Sequence, residues 1–497
     1  MRLWLPKSKV GKGVVTGGVA LLVLIVTAAI TLHHFWPFTE GAVKRELGEA
    51  ASATVSFAKF HDSYFPPGCV AEGAVFHRKA GGEPFIAIRR LTIRSNFFDL
   101  LHHHISLVRA EGAEVNWQKA ESSAASTSRP TVVDRLVADD AVLEIPRKPS
   151  EDPLRFVFHQ FEVKNLQGSG QSSFAATLEN PLPHGMLRVS GHFGPWNNSA
   201  PEKTALDGDY SLDRADMGVF HSIAGLLSSK GQFSGVFDNL DVQGQTSMPE
   251  LTVASTHHGL PLETDFFARI DGTNGNVILP SVKAKFGRDQ LNVHGSIARD
   301  QGGKRVASLD IQCERGRIED TFFPFIHSPK AALAGDVKFR MHVTIPPGKE
   351  NFDEKIGLAS TFDIEGARFT HEKTQVELSK ISEAPNQDRP DPTAPASIQG
   401  QVSVENGVAR FSELILEDQS ARAKLHGTFG LVDERVNLHG ELKTAASLTK
   451  TTHGIKAVFA KVIEPFFKKR PHETVVPVKI GGSYKDPQFG LDLSQKM

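Results

Sequence analysis

Residues 421 to 443 read ARAKLHGTFGLVDERVNLHGELK, and this stretch decides the fold class of the chain. Apolar or small residues occupy every second position of two consecutive segments, and mostly polar or charged residues stand between them. Successive side chains of a β-strand point to opposite faces, so a period of two predicts strands with one apolar and one polar face. Asp433 and Glu434 separate the segments and predict the turn of an antiparallel hairpin.

The same alternation recurs along most of the chain. The preceding stretch SIQGQVSVENGVARFSELIL predicts another hairpin, with Asn406 and Gly407 as its turn. Further copies occur in KGQFSGVFDNLDVQGQ, VKAKFGRDQLNVHGSIA, GDVKFRMHVTI, LASTFDIEGARFT and VVPVKIGGSY. A single sandwich closes within about 250 residues, whereas this pattern continues. We therefore expect a mainly β protein with one elongated, curled antiparallel sheet of about 25 to 30 strands, open like a trough and roughly 120 to 145 Å long.

Helical patterns are few. The clearest covers residues 448 to 469, where apolar residues follow a helical spacing and a basic cluster, Lys468 to Arg470, comes after them. We expect this helix either to pack on the sheet or to cap the trough and touch a membrane interface. Its apolar stripe consists of Ile455, Val458, Phe459, Val462, Ile463, Phe466 and Phe467. Shorter helices are predicted at 40 to 51, 216 to 228 and 319 to 327.

The N-terminus predicts a membrane anchor. Four basic residues precede an uncharged run from Val14 to Leu32, which is about 28 Å long as a helix and can cross a bilayer. The positive charges place the N-terminus in the cytoplasm, and Phe35, Trp36 and Phe38 fit the aromatic belt of the far interface. A cleaved signal peptide is the alternative, but the run is long for one.

These patterns divide the chain into six parts. The parts are a cytoplasmic basic tail (1–12), a transmembrane signal anchor (13–35), an N-terminal β region (36–204), a central β-groove region (205–382), a flexible Pro-rich loop (383–395) and a C-terminal β region (396–497).

Composition narrows the function. The formal net charge is -1, so the charge balance does not suggest a nucleic-acid partner, and we predict none. The chain has 33 Phe against 3 Tyr and 4 Trp, a balance that favours extensive dry apolar surface. Cys69 and Cys313 are far apart in sequence, and we expect two separate, partly buried thiols.

No catalytic or metal-binding constellation emerges. His102, His103 and His104 stand in a row, but in a strand only His102 and His104 would share a face, and zinc needs further ligands. We expect solvated imidazoles at a strand edge or turn. The stretch Asp271 to Asn276 begins like a calcium loop, yet Val282 stands where that loop needs a glutamate, which favours turns. We therefore predict no enzyme, no cofactor and no metal.

Several blocks of the chain resemble AsmA-like proteins. At the C-terminus these are AVFAKVIEPFFKK and VVPVKIGGSYKDPQFGLDL. In the middle they are GVFDNLDVQGQTSMPELTV, DFFARIDGTNGNVILPSVKAKF, RIEDTFFPF and TIPPGKENFDEKIGLASTFDIEGARFT. Near the N-terminus they are ATVSFAKFHDSYFPPGCVAEGAVF and FIAIRRLTIRSNFFDLLHHHISLVRAEGAEV. The blocks are individually loose, but their order covers nearly the whole chain.

The resemblance implies a role in the Gram-negative envelope. AsmA-like proteins and their relative TamB are anchored in the inner membrane, lie mostly in the periplasm and are associated with outer-membrane biogenesis and with the carriage of phospholipid along β-grooves. Phospholipids and the inner membrane are the partners this implies. Exposing one CH₂ to water costs about 0.8 kcal/mol, so an apolar sheet face suits that cargo. The alternative is a non-enzymatic scaffold that assists outer-membrane proteins through exposed strand edges. Our candidate groove residues are Val402, Val404, Leu425, Phe429, Val436, Leu438, Leu442, Val476, Val478 and Ile480.

Overall fold

A computed structural model describes residues 38–492, except 52, 79–81, 103, 117–131, 146–151, 167–169, 198–199, 221–222, 254–255, 257, 301–304, 322, 326–330, 332, 348–350, 370–395, 418–420, 445–473 and 484–485. These residues form one sheet of 26 strands with few helices. The prediction of a mainly β chain with an open, curled sheet is confirmed.

The strands follow one another along the chain. Those of the first half are β1 (Thr54–Ser56), β2 (Lys59–Tyr64), β3 (Pro67–His77), β4 (Pro84–Arg94), β5 (His104–Ile105), β6 (Leu107–Asn116), β7 (Val132–Ile145), β8 (Leu154–Leu166), β9 (Ser172–Pro181), β10 (His184–Phe193), β11 (Ala205–Asp216), β12 (Ile223–Ala224), β13 (Leu226–Val236) and β14 (Asn239–Val253). Those of the second half are β15 (Gly259–Asp271), β16 (Asn276–Phe286), β17 (Asp289–Arg299), β18 (Arg305–Arg317), β19 (Leu333–Ile345), β20 (Gly357–Phe369), β21 (Ala396–Glu405), β22 (Val408–Glu417), β23 (Ala421–Gly430), β24 (Val436–Thr444), β25 (Thr474–Ser483) and β26 (Asp486–Leu491).

The helical segments are short. The α-helices are α1 (Glu40–Ala51), α2 (Phe97–Leu101), α3 (Ile318–Thr321) and α4 (Phe352–Lys355), and 3₁₀ turns occur at Pro201–Lys203, Met217–Phe220 and Phe323–Phe325. The helix predicted at 40 to 51 is therefore confirmed. Of the helix predicted at 319 to 327, the described residues show only the short α3 and the 3₁₀ turn at Phe323–Phe325. The apolar helix predicted at 448 to 469, the Pro-rich loop at 383 to 395 and the anchor at 13 to 35 lie outside the described residues.

The sheet is a meander in which each strand pairs with its neighbours along the chain. Three pairs of segments, β1 with β2, β5 with β6 and β12 with β13, each lie end to end along one shared neighbour, so the 26 strands fill 23 positions. At about 4.8 Å between strands, the sheet measures roughly 105 Å along its curve. The ladder continues from β10 to β11 across the predicted boundary at 204/205.

The pairings of β7 with β5 and with β6 differ from the predicted antiparallel order. Strands β6 and β7 are parallel, with Val108 opposite Leu136 and Val115 opposite Leu143. A parallel pair cannot be joined by a tight hairpin, so the chain must cross over between the two strands. Alternation of residues is the same in parallel and antiparallel strands here, and for this reason the sequence pattern did not reveal the crossover.

The helix predicted at 216 to 228 is wrong. Only Met217–Phe220 forms a 3₁₀ turn, and the chain then enters strands β12 and β13. Gly225, between these strands, has a φ of +133°, a conformation that side chains rarely adopt. The apolar residues of the predicted helix therefore belong to the sheet, where Ile223 pairs with Val253 and Leu227 pairs with Ala215.

A buried core lies at the N-terminal end of the sheet. It joins α1 to strands β1 through β8, and its side chains include Phe38, Leu47, Phe76, Ile88 and Val108, each at most 1% exposed. Helix α1 crosses the start of the sheet beside Val55 and Phe57. The apolar side of these first strands is therefore closed by packing, as in an ordinary globular domain.

Glycines in the middle of strands mark where neighbouring backbones come closest. Gly191 of β10 faces Gly208 of β11, and a Cβ built on Gly208 would lie 2.8 Å from the Cα of Gly191 and 2.8 Å from the Phe233 ring. The next strands repeat the arrangement, since Gly231 faces Gly244. These positions leave no space for a side chain, and such glycines are found where a sheet bends.

Candidate functional site

One side of the sheet carries most of the apolar residues of its strands, and we call it the apolar face. Across the second half of the sheet, one residue of each strand lies directly opposite one residue of the next strand, and together these residues form a row. This central row crosses eleven strands, β15 to β25, through Phe266, Val282, Val293, Ile311, Met341, Ser360, Val402, Phe411, Gly427, Leu438 and Ile480. Only Ser360 is polar. The row is therefore an almost unbroken apolar path across the strands.

All ten candidate residues lie on this face. Val402 and Val404 of β21 lead through β22 to Gly427 and Phe429 of β23. Phe429 faces Val436, and Leu438 faces Ile480. Leu425 continues through Gly440 to Val478, and Leu442 pairs with Val476. The alternation thus placed the candidates on one surface; their contact with lipid stays a prediction.

Burial of the apolar face varies along the sheet. At the C-terminal end Leu425, Leu442 and Val478 are at most 1% exposed, and they form one cluster with Leu438. In the middle, Val282, Val293 and Ile311 are only partly buried. A charge at Leu438 would therefore disrupt packing as well as any bound ligand. Buried residues of the same face, such as Cys313, Phe339 and Val343, lie beside these middle residues, so both regions combine packed and partly exposed positions.

Sequence reasoning missed these middle residues. Phe233 and Val293 belong to alternating stretches that predicted strands, whereas Phe266 and Ile311 lie outside those stretches. The candidates were chosen only from the best-patterned region. The same period of two would have found Phe266, Val293 and Ile311, because each stands two residues from another apolar residue of its strand.

A row of hydroxyl groups interrupts the apolar face between β11 and β15. Ser229, Thr246 and Thr264 lie opposite one another in register. The Tyr210 hydroxyl lies 3.0 Å from Ser229 Oγ, and Thr246 Oγ1 donates to the same oxygen at 3.2 Å. Burial raises the pKa of Tyr210 above its ordinary value, and the hydrogen bond from Ser229 opposes that shift. The row gives this part of the face a polar stripe.

The opposite side of the sheet is polar. Charged side chains pair across strands, as in Lys285 with Glu263 and Arg269 with Asp241. A hollow of about 690 Å³ lies mainly on this side, between Lys230, Asp265 and Lys283. Exposed ion pairs of this kind contribute little to stability, and they keep this side in water.

His102 and His104 belong to different elements of the fold. His102 ends helix α2, with its Nδ1 2.8 Å from the Phe98 carbonyl oxygen, whereas His104 belongs to β5 and lies 3.4 Å from Asp134. His102 is exposed in the turn that follows α2, as predicted for a solvated imidazole at a turn, whereas His104 is partly buried in β5. Within the described parts of the chain, no group of three or more His, Cys, Asp or Glu side chains could hold a metal ion.

Two further local predictions are confirmed. The stretch Asp271 to Asn276 is the turn between β15 and β16, in which Asp271 Oδ1 accepts a hydrogen bond from the Thr273 amide at 2.9 Å. The cysteines are separate thiols, and Cys69 and Cys313 are 4% and 1% exposed. Burial raises the pKa of Cys69 to about 12 and that of Cys313 to about 11.

A buried carboxylate fastens α3 to the start of β17. Asp289 is 2% exposed and accepts hydrogen bonds from the Arg317 amide, at 3.0 Å, and from the Thr321 hydroxyl. Burial nevertheless raises the pKa of Asp289 above its ordinary 3.8, because it penalises the ionised form more than these two donors favour it.

This raised pKa predicts a pH dependence of stability. A carboxyl group with a higher pKa in the folded state stabilises the fold fully below its unfolded pKa, and that contribution is lost as pH rises through the folded value. We expect the free energy of unfolding of the wild type, relative to Asp289→Asn, to fall as pH rises from about 3.8 through the raised pKa. Denaturant unfolding of both proteins at a series of pH values measures it. A difference that is constant with pH would contradict the raised pKa.

Comparisons with protein-family models, with curated proteins and with solved structures find no match to this chain. The resemblance to AsmA-like proteins accordingly stays a prediction from the sequence blocks. Among the residues described, none of the helices is both long and apolar enough to cross a bilayer. The run predicted as an anchor lies outside those residues.

Proposed function

We propose that this chain binds phospholipid along its apolar face and passes it between the inner and outer membranes, as an anchored protein of the bacterial envelope. The observation that carries the proposal is the central row, an apolar path across eleven strands whose middle is only partly buried. Long acyl chains are the cargo that suits such a surface, because burial of each CH₂ stabilises by about 0.8 kcal/mol.

The two sides of the sheet together suit an amphipathic cargo. Acyl chains would lie against the apolar face, and the lipid head group would stay in water at its open side. Movement along the central row needs no specific chemistry, because nearly every strand from β15 to β25 presents an apolar residue or a glycine there. The polar side, with its cross-strand ion pairs, would remain hydrated and keep the sheet soluble.

The alternative scaffold function would act through strand edges. In the described sheet, β1 and β2 at one end and β26 at the other each pair with one neighbour only. Strand β26 is six residues long and contains Pro487, and the first edge is broken between β1 and β2. Short, interrupted or proline-containing edges discourage strand addition, so the structure favours the apolar face over the edges as the functional surface.

Photocrosslinking in the membranes of producing cells tests the proposal. A diazirine amino acid at Ile311, on the apolar face, is expected to crosslink to phospholipid. The matched control is Gln312, the next residue of β18, which points to the polar side and is expected to give at least about tenfold less lipid adduct. Equal adduct at both positions, or none at Ile311, would contradict a lipid-binding apolar face.

A further inference from the structure

Four exposed aromatic side chains gather at one corner of the sheet. Tyr64 is 63% exposed, Phe65 86%, Phe97 47% and Phe98 78%. The rings of Phe65 and Phe97 are 5.9 Å apart, so the two segments form one surface. We call these four residues the aromatic corner. Large apolar side chains concentrated on a surface mark a site of interaction.

The first segment is the tip of the β2–β3 hairpin. Tyr64 pairs with Pro67, which leaves Phe65 and Pro66 as the two residues of the turn. Two-residue hairpin turns usually carry asparagine, aspartate or glycine, which suit both water and the turn conformation. The Ser95 amide stabilises the turn by donating a hydrogen bond to the Pro67 carbonyl oxygen at 2.9 Å. Phe65 is therefore presented outward by a fixed turn.

The second segment is helix α2, which its own hydrogen bonds hold in place. Asn96 Oδ1 accepts from the Asp99 amide at 2.8 Å, and the Ser106 hydroxyl donates to Asp99. Leu100 packs against the buried core, and this orientation leaves Phe97 and Phe98 on the outer side. The exposure of these two rings thus follows from how the helix is anchored.

The N-terminal end of helix α1 points toward the aromatic corner. A Cβ on Gly48 would lie 3.9 Å from Val55, and Lys44 lies over the Phe57 ring at 5.5 Å. Going from Gly48 to Lys44, α1 thus passes first Val55 and then Phe57. The N-terminal end of α1 therefore points along β1 and β2 toward Tyr64. Phe38 precedes the helix, and the apolar run from Val14 to Leu32 stands only a few residues before it.

We propose that the aromatic corner inserts into the interface of the bilayer that holds the N-terminal run. Phenylalanine and tyrosine at the level of the lipid head groups are typical of membrane-contacting surfaces. The short connection between Leu32 and Phe38 keeps this end of the sheet next to that bilayer. Insertion would dock the first strands, and with them the start of the apolar face, on the membrane. The interaction needs no lipid on the apolar face, and it rests only on the membrane anchor that the proposed function also includes.

Fluorescence quenching in the full chain tests this contact. The variants Phe65→Cys and Phe98→Cys would carry an NBD label and be reconstituted into phospholipid vesicles, with or without a nitroxide-bearing lipid. The native thiols Cys69 and Cys313 are buried with raised pKa values, and the unsubstituted chain, labelled in parallel, measures their background. We expect the nitroxide lipid to lower the emission at both sites at least about twofold.

Two controls separate insertion from mere proximity. Lys59→Cys places the label on β2 at an exposed site about 16 Å back from the turn, and Val432→Cys places it at another hairpin tip, where Val432 is 58% exposed. Both labels are expected to stay unquenched. The proposal would be overturned by labels at 65 and 98 that behave like these controls. Emission at 65 and 98 that shifts only with protein concentration would also overturn it, in favour of contact with a second copy.

Discussion

Gly208→Val is expected to unfold the middle of the sheet. A Cβ at this position would contact the Ser190 carbonyl oxygen and lie 2.8 Å from both the Gly191 Cα and the Phe233 ring. Two of these neighbours are backbone atoms of β10 and cannot move without breaking the ladder. Overpacking and backbone strain together should lower the free energy of unfolding by about 3 kcal/mol or more. Hydrogen exchange of the β10 and β11 amides, with thermal unfolding of the whole chain, measures the effect.

The matched control is Gly357→Ala in β20. There the nearest atoms to a new Cβ, both of Thr344, are 3.7 Å away, an ordinary van der Waals distance. This variant should keep wild-type exchange and melting temperature. If Gly208→Val also behaved like the wild type, the close approach of β10 and β11 would be wrong.

Val293→Asp is expected to remove lipid from the middle of the apolar face. Val293 lies opposite Ile311 and is partly buried, so a carboxylate there would meet the acyl chains directly. An ionised group has no hydrogen-bonding partner in hydrocarbon, and lipid should avoid it. We expect the yield of lipid adduct from a crosslinker at Ile311 to fall at least about tenfold. Mass spectrometry of the adducts provides the measurement.

The control for this substitution is Asn292→Asp. Asn292 is the preceding residue of β17, points to the polar side and lies opposite Gln312. The Asn292→Asp substitution adds the same charge to the same strand but on the polar side. Crosslinking at Ile311 should therefore be unchanged. Thermal unfolding of both variants shows whether a lower adduct yield reflects lost lipid binding or a lost fold. An undiminished adduct in folded Val293→Asp would refute the proposed lipid path.

The sequence was most informative where one physical constraint acts alone. In β23 and β24 the alternation of residues fixed the apolar face, and the Asn406–Gly407 turn, with φ values of 52° and 74°, gave the hairpin of β21 and β22. Both features depend on neighbours within a few residues. Local pattern therefore predicted the strands, most turns and the side on which each candidate residue lies.

Features that depend on distant neighbours were missed. The helix predicted at 216 to 228 had suitable apolar spacing, but pairing of β12 and β13 with β14 outweighed it. The parallel order of β6 and β7 has no counterpart in residue alternation. The burial of Leu425 and Val478 also depends on what packs around them, which the alternation of residues does not show.

The meander makes the sheet a linear array in which each strand touches only its neighbours. An inserted hairpin would lengthen such an array by two strand spacings, about 10 Å, and leave the pairing of every other strand unchanged. The length of the sheet can therefore change without any change in the residues on its two faces. Natural selection could fit the protein to a wider or narrower gap by adding or deleting hairpins, with no redesign of the residues on either side.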